Sequence, residues 1–184
     1  DLKRQLLVGA ERWSDLVATC DAILALQPRH VRALKDKGRA LLSLNRPEEA
    51  HAAYDQALVN QPDDVDAMRG QRDALRRSKS PKVLLRTCDA ILSRDPKDAA
   101  TWVVKGEAHG ALGQKAEALA AYEAVLQLDP RDGGAWTHKA SLLLDLENYE
   151  EAVRAYESAV EANPADPVLW YDKARAEFEL TSYS

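Results

Sequence analysis

The sequence lacks the motifs that hold metals, phosphates or a catalytic pair. Its four histidines stand in four different parts of the chain, and no His-Glu-x-x-His or Cys-x-x-Cys spacing places metal ligands on one face. None of its eight glycines follows a strand-like segment that could bring the backbone under a phosphate. We therefore expect no metal, no cofactor and no enzymatic activity.

Long apolar runs are also absent. No stretch approaches the roughly 18 to 20 apolar residues that a membrane-spanning helix needs. Charged residues make up 30% of the chain and hydrophobic residues 46%, and the formal net charge is −5. This composition predicts a soluble protein without a membrane span.

What the sequence does contain is a strictly regular repeat. Proline recurs at one fixed spacing, tryptophan shares it in the second half, and an aspartate stands shortly after four of the prolines. These residues are Pro28, Pro62, Pro96, Pro130 and Pro164; Trp102, Trp136 and Trp170; and Asp64, Asp98, Asp132 and Asp166. A period of roughly 20 to 50 residues is typical of a solenoid, in which each unit buries its apolar face by stacking on its neighbours.

Each repeat is predicted to form two helices. The aspartate after the proline can cap the first helix, because its side-chain oxygen accepts from free N–H groups. A polar break such as Asn45-Arg46 follows, and Pro47 and Pro81 suit the first position of the second helix, where a missing N–H costs nothing. We expect helices at about 31–44, 47–60, 65–77, 81–94, 99–112, 115–128, 133–146, 149–162 and 167–180, with two more within 1–27.

Several residues in register resemble the tetratricopeptide repeat family. They are Trp102, Gly106, Ala118, Tyr122, Val125 and Pro130 in one repeat, and Trp136, Ala140, Leu143, Ala152, Tyr156, Ala159 and Pro164 in the next. The resemblance implies an all-α fold, a right-handed superhelical solenoid of antiparallel helix pairs. It implies a single array over 1–184, with a partial repeat at about 1–30, complete repeats at 31–64, 65–98, 99–132 and 133–166, and a terminal capping helix at 167–184.

One repeat departs from the pattern. Arg72 stands where the other repeats have Gly38, Gly106 or Ala140, and Leu84 replaces an alanine. An arginine in a close helix contact must extend to solvent or push the helices apart. The repeat is therefore either slightly splayed without consequence, or a hinge or binding site.

Cys20 and Cys88 occupy equivalent positions two repeats apart. Four stacked helices separate such positions, so the two Cα atoms lie far beyond the roughly 7 Å that a disulfide allows. We expect two buried free thiols and, from them, a reducing compartment such as the cytoplasm.

In the family, the first helices of successive repeats line a concave groove that binds peptides or partner helices. The resemblance places these residues there: Arg32, Lys35, Arg39, Arg69, Asp73, Arg76, Arg77, Val103, Val104, Glu107, Ala111 and His138. Residues 1–96 carry 17 Lys/Arg against 14 Asp/Glu, whereas residues 97–184 carry 8 against 16. We expect the cations to attract an acidic segment, with Val103, Val104 and Ala111 as an apolar shelf.

The groove does not match the carboxylate clamp of chaperone-tail adaptors in this family. Starting from Lys35 and Arg39, the clamp would need polar residues at Gly70, Ala100 and Val104. The sequence thus predicts a non-catalytic scaffold that binds a protein or peptide, as a monomer or a weak homo-oligomer. Two alternatives stay open: a self-assembling scaffold, and a binder of nucleic acid or another anionic surface through Arg69–Arg86, which the pI of about 5.4 disfavours.

Overall fold

The computed structural model describes residues 2–182, with side chains from residue 12 onward. Over this range the elements are α1 (Leu2–Leu26), α2 (Val31–Ser43), α3 (Pro47–Asn60), α4 (Val65–Arg77), α5 (Pro81–Leu92), α6 (Ala99–Ala111), α7 (Lys115–Leu128), α8 (Gly133–Asp145), α9 (Tyr149–Ala162) and α10 (Pro167–Ser182). The predicted all-α repeat architecture is confirmed. None of the described helices combines the length and the hydropathy that crossing a bilayer requires.

Contacts between Cα atoms divide the chain into two compact units, Asp1–Arg94 and Asp95–Ser184. In the first unit α2 pairs with α3 and α4 with α5, while α1 packs on α2. In the second unit α6 pairs with α7 and α8 with α9, while α10 packs on α9. Each unit is thus built from helix pairs that contact their neighbours in sequence, as repeat proteins are.

The first helices begin with the predicted caps. The side chains of Asp64, Asp98 and Asp132 each accept a hydrogen bond from the backbone N–H three residues on, at 2.9, 2.9 and 2.8 Å. His30 holds the equivalent position before α2, and its Nδ1 accepts in the same way at 3.1 Å. Local side-chain chemistry therefore fixes where the first helices start.

Helix α1 differs from the expectation of two helices within 1–27. It runs unbroken over Leu2–Leu26. The other repeats turn at residues with positive φ, which recur once per repeat at Asn45, Lys79, Gly113 and Glu147. The residue in register with these turn positions is Glu11, and the helix continues through it.

We expect Glu147→Gly to stabilise the protein by about 1 kcal/mol, because a left-handed conformation strains a residue with a Cβ and not glycine. Glu147 has φ 60° between α8 and α9. Chemical denaturation would measure the change. Arg154→Gly is the matched control, since Arg154 is exposed within α9 and glycine there should cost about 1 kcal/mol. Destabilisation by Glu147→Gly would contradict the prediction.

The tryptophan and proline spacings reflect one repeated contact. The indole Nε1 of Trp102, Trp136 and Trp170 each donates to the carbonyl oxygen of the proline six residues earlier, at 3.0, 2.9 and 3.0 Å. This bond holds the link between repeats against the first helix that follows it. A hydrogen bond therefore joins the tryptophan to the proline before it, which their spacing alone did not indicate.

A second periodic contact joins neighbouring repeats. An acidic side chain on a second helix, or on the equivalent part of α1, bonds a lysine or glutamine on the next first helix. The pairs are Asp21–Lys37 at 2.6 Å, Asp55–Gln71 at 3.3 Å, Glu123–Lys139 at 2.8 Å and Glu157–Lys173 at 3.3 Å. Exposed pairs of this kind contribute about 0–1 kcal/mol each, so they favour one register more than they add stability.

Close helix contact depends on glycine beside tyrosine. A Cβ at Gly38 would lie 2.7 Å from the Tyr54 ring, and a Cβ at Gly106 would lie 2.8 Å from the Tyr122 ring. Tyr54 and Tyr122 are 5% and 4% exposed. The small residue on the first helix is therefore what lets each ring enter the core.

In the irregular repeat the large residue is on the first helix and the small residue is on the second helix. Arg72 replaces the glycine, and Cys88 replaces the tyrosine. The Arg72 side chain is only 10% exposed and bonds Asp73 through Nε at 2.9 Å and Nη2 at 2.8 Å, so it does not extend to solvent. Helices α4 and α5 contact each other less extensively than the other pairs. Cys88 and Cys20 are both free and buried, as predicted.

Candidate functional site

The predicted groove residues lie on first helices in both units. In the first unit α2 carries Arg32, Lys35 and Arg39, and α4 carries Arg69, Asp73, Arg76 and Arg77. In the second unit α6 carries Val103, Val104, Glu107 and Ala111, and α8 carries His138.

Two cavities of the first unit are lined by both Lys35 and Arg39. The larger has a volume of about 450 Å³ and is completed by Val31, Arg32, Asp36 and Gln61. The smaller has a volume of about 340 Å³ and is completed by Leu42, Tyr54, Asp66, Gly70 and Asp73. We call this surface the α2–α4 face. It is concave and strongly charged, with lysine and arginine at the centre.

Most cations of the α2–α4 face have a carboxylate partner. Lys35 Nζ lies 2.8 Å from the capping carboxylate of Asp64, in a pair that is largely shielded from solvent. The exposed side chains of Arg32 and Arg39 lie 3.9 and 3.5 Å from Asp36. The face is therefore a network of alternating charges, not the bare basic surface that the sequence suggested.

The cations of α4 are also engaged within the protein. Arg69 lies 3.6 Å from Asp66, and Asp73 accepts from Arg72. Arg77 donates through Nη1 to the carbonyl oxygen of Leu42 at 2.6 Å, near the end of α2. Arg77 thus adds a side-chain donor from α4 to a carbonyl group at the end of α2 that also accepts from the backbone N–H of Asn45.

Burial and two hydrogen bonds act on the pKa of the Asp64 carboxyl group. Burial raises the pKa of Asp64, but the hydrogen bonds from Lys35 and from the backbone N–H of Ala67 outweigh burial, and the pKa falls below its ordinary value of 3.8. The folded state therefore holds the ionised form more strongly than the unfolded chain does. The resulting stability is present above the unfolded pKa and is lost as pH falls through the lower, folded value.

We expect Asp64→Asn to flatten the acid dependence of unfolding, because asparagine can still cap α4 but cannot pair with Lys35. The loss at neutral pH should be about 1.5 kcal/mol, typical of a hydrogen bond to a charged group. Urea unfolding between about pH 3 and 7 measures both effects. Asp132→Asn is the control, since among the described residues no lysine bonds Asp132. Parallel pH profiles for wild type and Asp64→Asn would contradict the prediction.

In the second unit the predicted apolar shelf is only partly available. Val104 is 4% exposed, so its assignment to the groove surface is wrong. A valine at this position is removed from water, whereas Asp36 at the equivalent position stays partly exposed. Val103 is half-buried and Ala111 is exposed.

His138 lies against an aromatic ring of the core. Its imidazole stacks on Tyr122, with ring centroids 4.7 Å apart and planes inclined by 14°. His138 thus covers the core residue Tyr122. The residue at the equivalent position in the first unit is Gly70, which lies beside Tyr54. Glu107, on α6, is half-buried.

Family comparison agrees with this architecture. Models of the tetratricopeptide repeat match residues 4–69 and, in overlapping copies, 85–133, 103–167 and 137–184. The chain belongs to the tetratricopeptide repeat family. Residues 70–84, which the matches leave out, include Arg72 and Leu84, the two departures from the tetratricopeptide pattern.

Solved tetratricopeptide structures share the fold. YrrB, described as a TPR protein with an unusual peptide-binding site, aligns with a TM-score of 0.81 at 20% identity over 92% of this chain and 88% of its own. MamA aligns at 0.80 and 16% identity over 84% of both chains. MamA from Desulfovibrio magneticus RS-1 aligns at 0.73 and 17% identity over 86% of this chain and 97% of its own. No curated protein matches the sequence.

In the described part of the chain, no group of three His, Cys, Asp or Glu side chains is placed to hold a metal ion. Three of the histidines have packing or capping contacts: His30 caps α2, His138 stacks on Tyr122, and His109 Nδ1 lies 2.8 Å from Gln114 Oε1. These contacts give the three histidines structural roles.

Two residues of the α2–α4 face lie outside the first helices, and the family pattern does not indicate them. Tyr54 and Gln61 line its cavities from the second helix and the link after it, whereas the family pattern points only to first helices. The glycines at 38 and 70 could have indicated Tyr54. A Cβ at Gly70 would lie 2.2 Å from its ring, so both glycines leave room for that side chain.

Proposed function

We propose that the chain is a non-catalytic scaffold that binds an acidic peptide segment on the α2–α4 face. The tetratricopeptide fold supports a protein-interaction scaffold as the general function. The observation that carries the finer proposal is the pair of cavities lined by Lys35 and Arg39. YrrB, described as having a peptide-binding site, gives the fold a precedent. Val103, Ala111 and His138 offer further contacts on the second unit.

Charge favours an acidic ligand over a basic one. Arg76 and Arg77 add exposed positive charge to a face whose carboxylates are already paired with arginines. A nucleic acid is a weaker candidate, because the chain as a whole is acidic.

We also propose a cytoplasmic location, since both cysteines are free and buried.

Selection from a random peptide display library, followed by calorimetry, tests this function. Recovered peptides should be enriched in Asp and Glu, and the double reversal Arg69→Glu with Arg76→Glu should weaken binding more at low salt than at high salt. The matched control reverses Lys82 and Arg86, two exposed cations on α5. Equal loss in both double variants, or no acidic enrichment, would refute the α2–α4 face as the binding surface.

Self-association is a second candidate, favoured by two open helix faces. On α10, Trp170 is 51% exposed and Ala174 is exposed, although Gly38, Gly106 and Ala140 at the equivalent position are buried. On α1, Ile23 is 36% exposed, although Ala57 at its equivalent is buried. Residues 13–182 span five lengths of the repeat. If a second copy followed the first end to end in the same register, its α1 would take the place of a second helix beside α10.

We propose a monomer as the main species, with weak end-to-end association of copies. The halves of opposite charge attract at low salt. Sedimentation velocity across protein concentration measures it, and Ala174→Arg should remove the association while Glu150→Arg on α9 should not. A stable dimer that salt does not weaken would contradict the proposed order. No change with Ala174→Arg would place the contact elsewhere.

A further inference from the structure

The hydroxyl of Tyr54 has no partner in the part of the chain that the structure describes. No hydrogen bond to it is formed by any of these residues, yet no buried polar side-chain atom among them is unsatisfied. Tyr54 as a whole is only 5% exposed, so its oxygen must reach the 340 Å³ cavity that it lines. The ring is fixed in the core, and only the hydroxyl faces the opening.

An arginine stands where the repeat at 133–166 has a serine beside its tyrosine. In that repeat burial raises the pKa of Tyr156, and a hydrogen bond that Ser141 donates lowers it. The residue in register with Ser141 in the first complete repeat is Arg39. A serine hydroxyl both donates and accepts, but a guanidinium has only donors. Arg39 can therefore donate to the Tyr54 oxygen but cannot accept its proton.

The nearby carboxylates are engaged by other residues. Asp66 lies 3.6 Å from Arg69, and Asp73 accepts from both Nε and Nη2 of Arg72. Lys35 gives one N–H to Asp64 and has two more. The cavity therefore combines the O–H of Tyr54 with further donors of Lys35 and Arg39, and each of its two carboxylates lies beside an arginine.

Tyr54 keeps its proton throughout the physiological range. Burial raises its pKa to about 12; the positive charge of Arg39 lowers it, and the negative charges of Asp73 and Asp36 raise it. The phenol is thus a donor throughout that range, with Lys35 and Arg39 lining the same cavity. What this arrangement can hold is a group that only accepts hydrogen bonds and carries negative charge.

We propose that the cavity lined by Tyr54, Lys35 and Arg39 is a subsite for one carboxylate, from an aspartate or glutamate side chain of the bound peptide. The inference rests on the proposed function and deepens it. A volume of about 340 Å³ is at the low end for ligand pockets, which suits one side chain with its own backbone. Asp66 and Asp73, which also line the cavity, repel a phosphate dianion more strongly than a carboxylate, because the repulsion grows with the charge of the ligand.

Three probes test the subsite by protein NMR, with the amide of Gly70 and the ring of Tyr54 as reporters. N-acetyl-glutamate N-methylamide should shift both signals in a saturable way, and N-acetyl-glutamine N-methylamide, which has the same shape without charge, should not. N-acetyl-phosphoserine N-methylamide distinguishes a phosphate source and should bind more weakly than the glutamate probe. Equal shifts with the glutamine probe, or tighter binding of the phosphoserine probe, would overturn the proposal.

Tyr54→Phe removes the hydroxyl and keeps the ring. We expect it to weaken the glutamate probe about tenfold, as for loss of a hydrogen bond to a charged group. Tyr156→Phe is the matched control and should leave affinity unchanged, and thermal unfolding checks that both variants fold. Equal affinity of Tyr54→Phe and wild type would overturn the subsite.

The two proposals fail in distinguishable ways. If library peptides bind and lose affinity on reversal of Arg69 and Arg76, but Tyr54→Phe has no effect on any probe, the groove stands and the subsite is refuted. If no peptide binds, but the glutamate probe shifts Gly70 and loses about tenfold in Tyr54→Phe, the subsite is supported and the peptide-binding function is refuted.

Discussion

Tyr156→Ala should cost the protein about 3–5 kcal/mol, the range for removing a large aromatic side chain from a core. Tyr156 is 1% exposed and belongs to a core cluster with Ala140, Leu143 and Ala152 from α8 and α9. The partners are mainly alanines that cannot extend into the space left behind, so the cavity would stay open. Solvent denaturation measures the loss.

The matched control for this variant is Tyr171→Ala. Tyr171 is 69% exposed on α10, so its removal should change the free energy of unfolding by less than about 0.5 kcal/mol. Similar losses for the two tyrosines would mean that the second-helix ring is not the centre of the second unit. A loss below about 1 kcal/mol for Tyr156→Ala would lead to the same conclusion.

The second large effect is expected for Cys88→Tyr. Cys88 is fully buried, so the larger ring should overpack the repeat and cost about 2–3 kcal/mol. Adding Arg72→Gly should restore most of this loss, because the pair then has the sizes found at Gly38 and Tyr54. The coupling between the two substitutions should be about 2 kcal/mol in a double-mutant cycle.

Arg76→Gly provides the control for the cycle, since Arg76 is an exposed arginine on the same helix. Its effect should add to that of Cys88→Tyr without coupling. Hydrogen exchange gives a second measurement: amides of 65–94 should exchange faster than those of 133–162 in wild type, and more slowly in the Arg72→Gly, Cys88→Tyr variant than in wild type. Additive energies would show that Arg72 and Cys88 are not complementary in size.

Local chemistry explains why most helix boundaries could be predicted. An aspartate that caps a helix and a proline at its first position act on backbone groups within a few residues, so Asp132 and Pro81 are informative without a structure. The segment 1–27 was misjudged because the period was extended to it, although the chain continues as one helix there. Periodicity indicates where a turn fits, but local residues must also favour it.

The candidate site was predicted less completely. Lys35 and Arg39, which the family pattern assigns to the groove, line two cavities of the first unit. The pattern did not indicate that Lys35 is held by Asp64, or that Val104 is buried. Such features depend on distances between side chains of different helices, and small changes in helix separation decide them.

By itself, the sequence determined the repeating unit, the helix starts and the all-α class, because these follow from hydrogen bonds and backbone preferences of neighbouring residues. The tertiary structure decided which charges are already paired and which polar group still lacks a partner. Tyr54 shows the difference: its spacing identifies it as a core residue, but only the packing of Gly38 and Gly70 around its ring leaves its hydroxyl open beside Arg39. Burial and pairing are properties of residues far apart in sequence, so they arise only when the helices have packed.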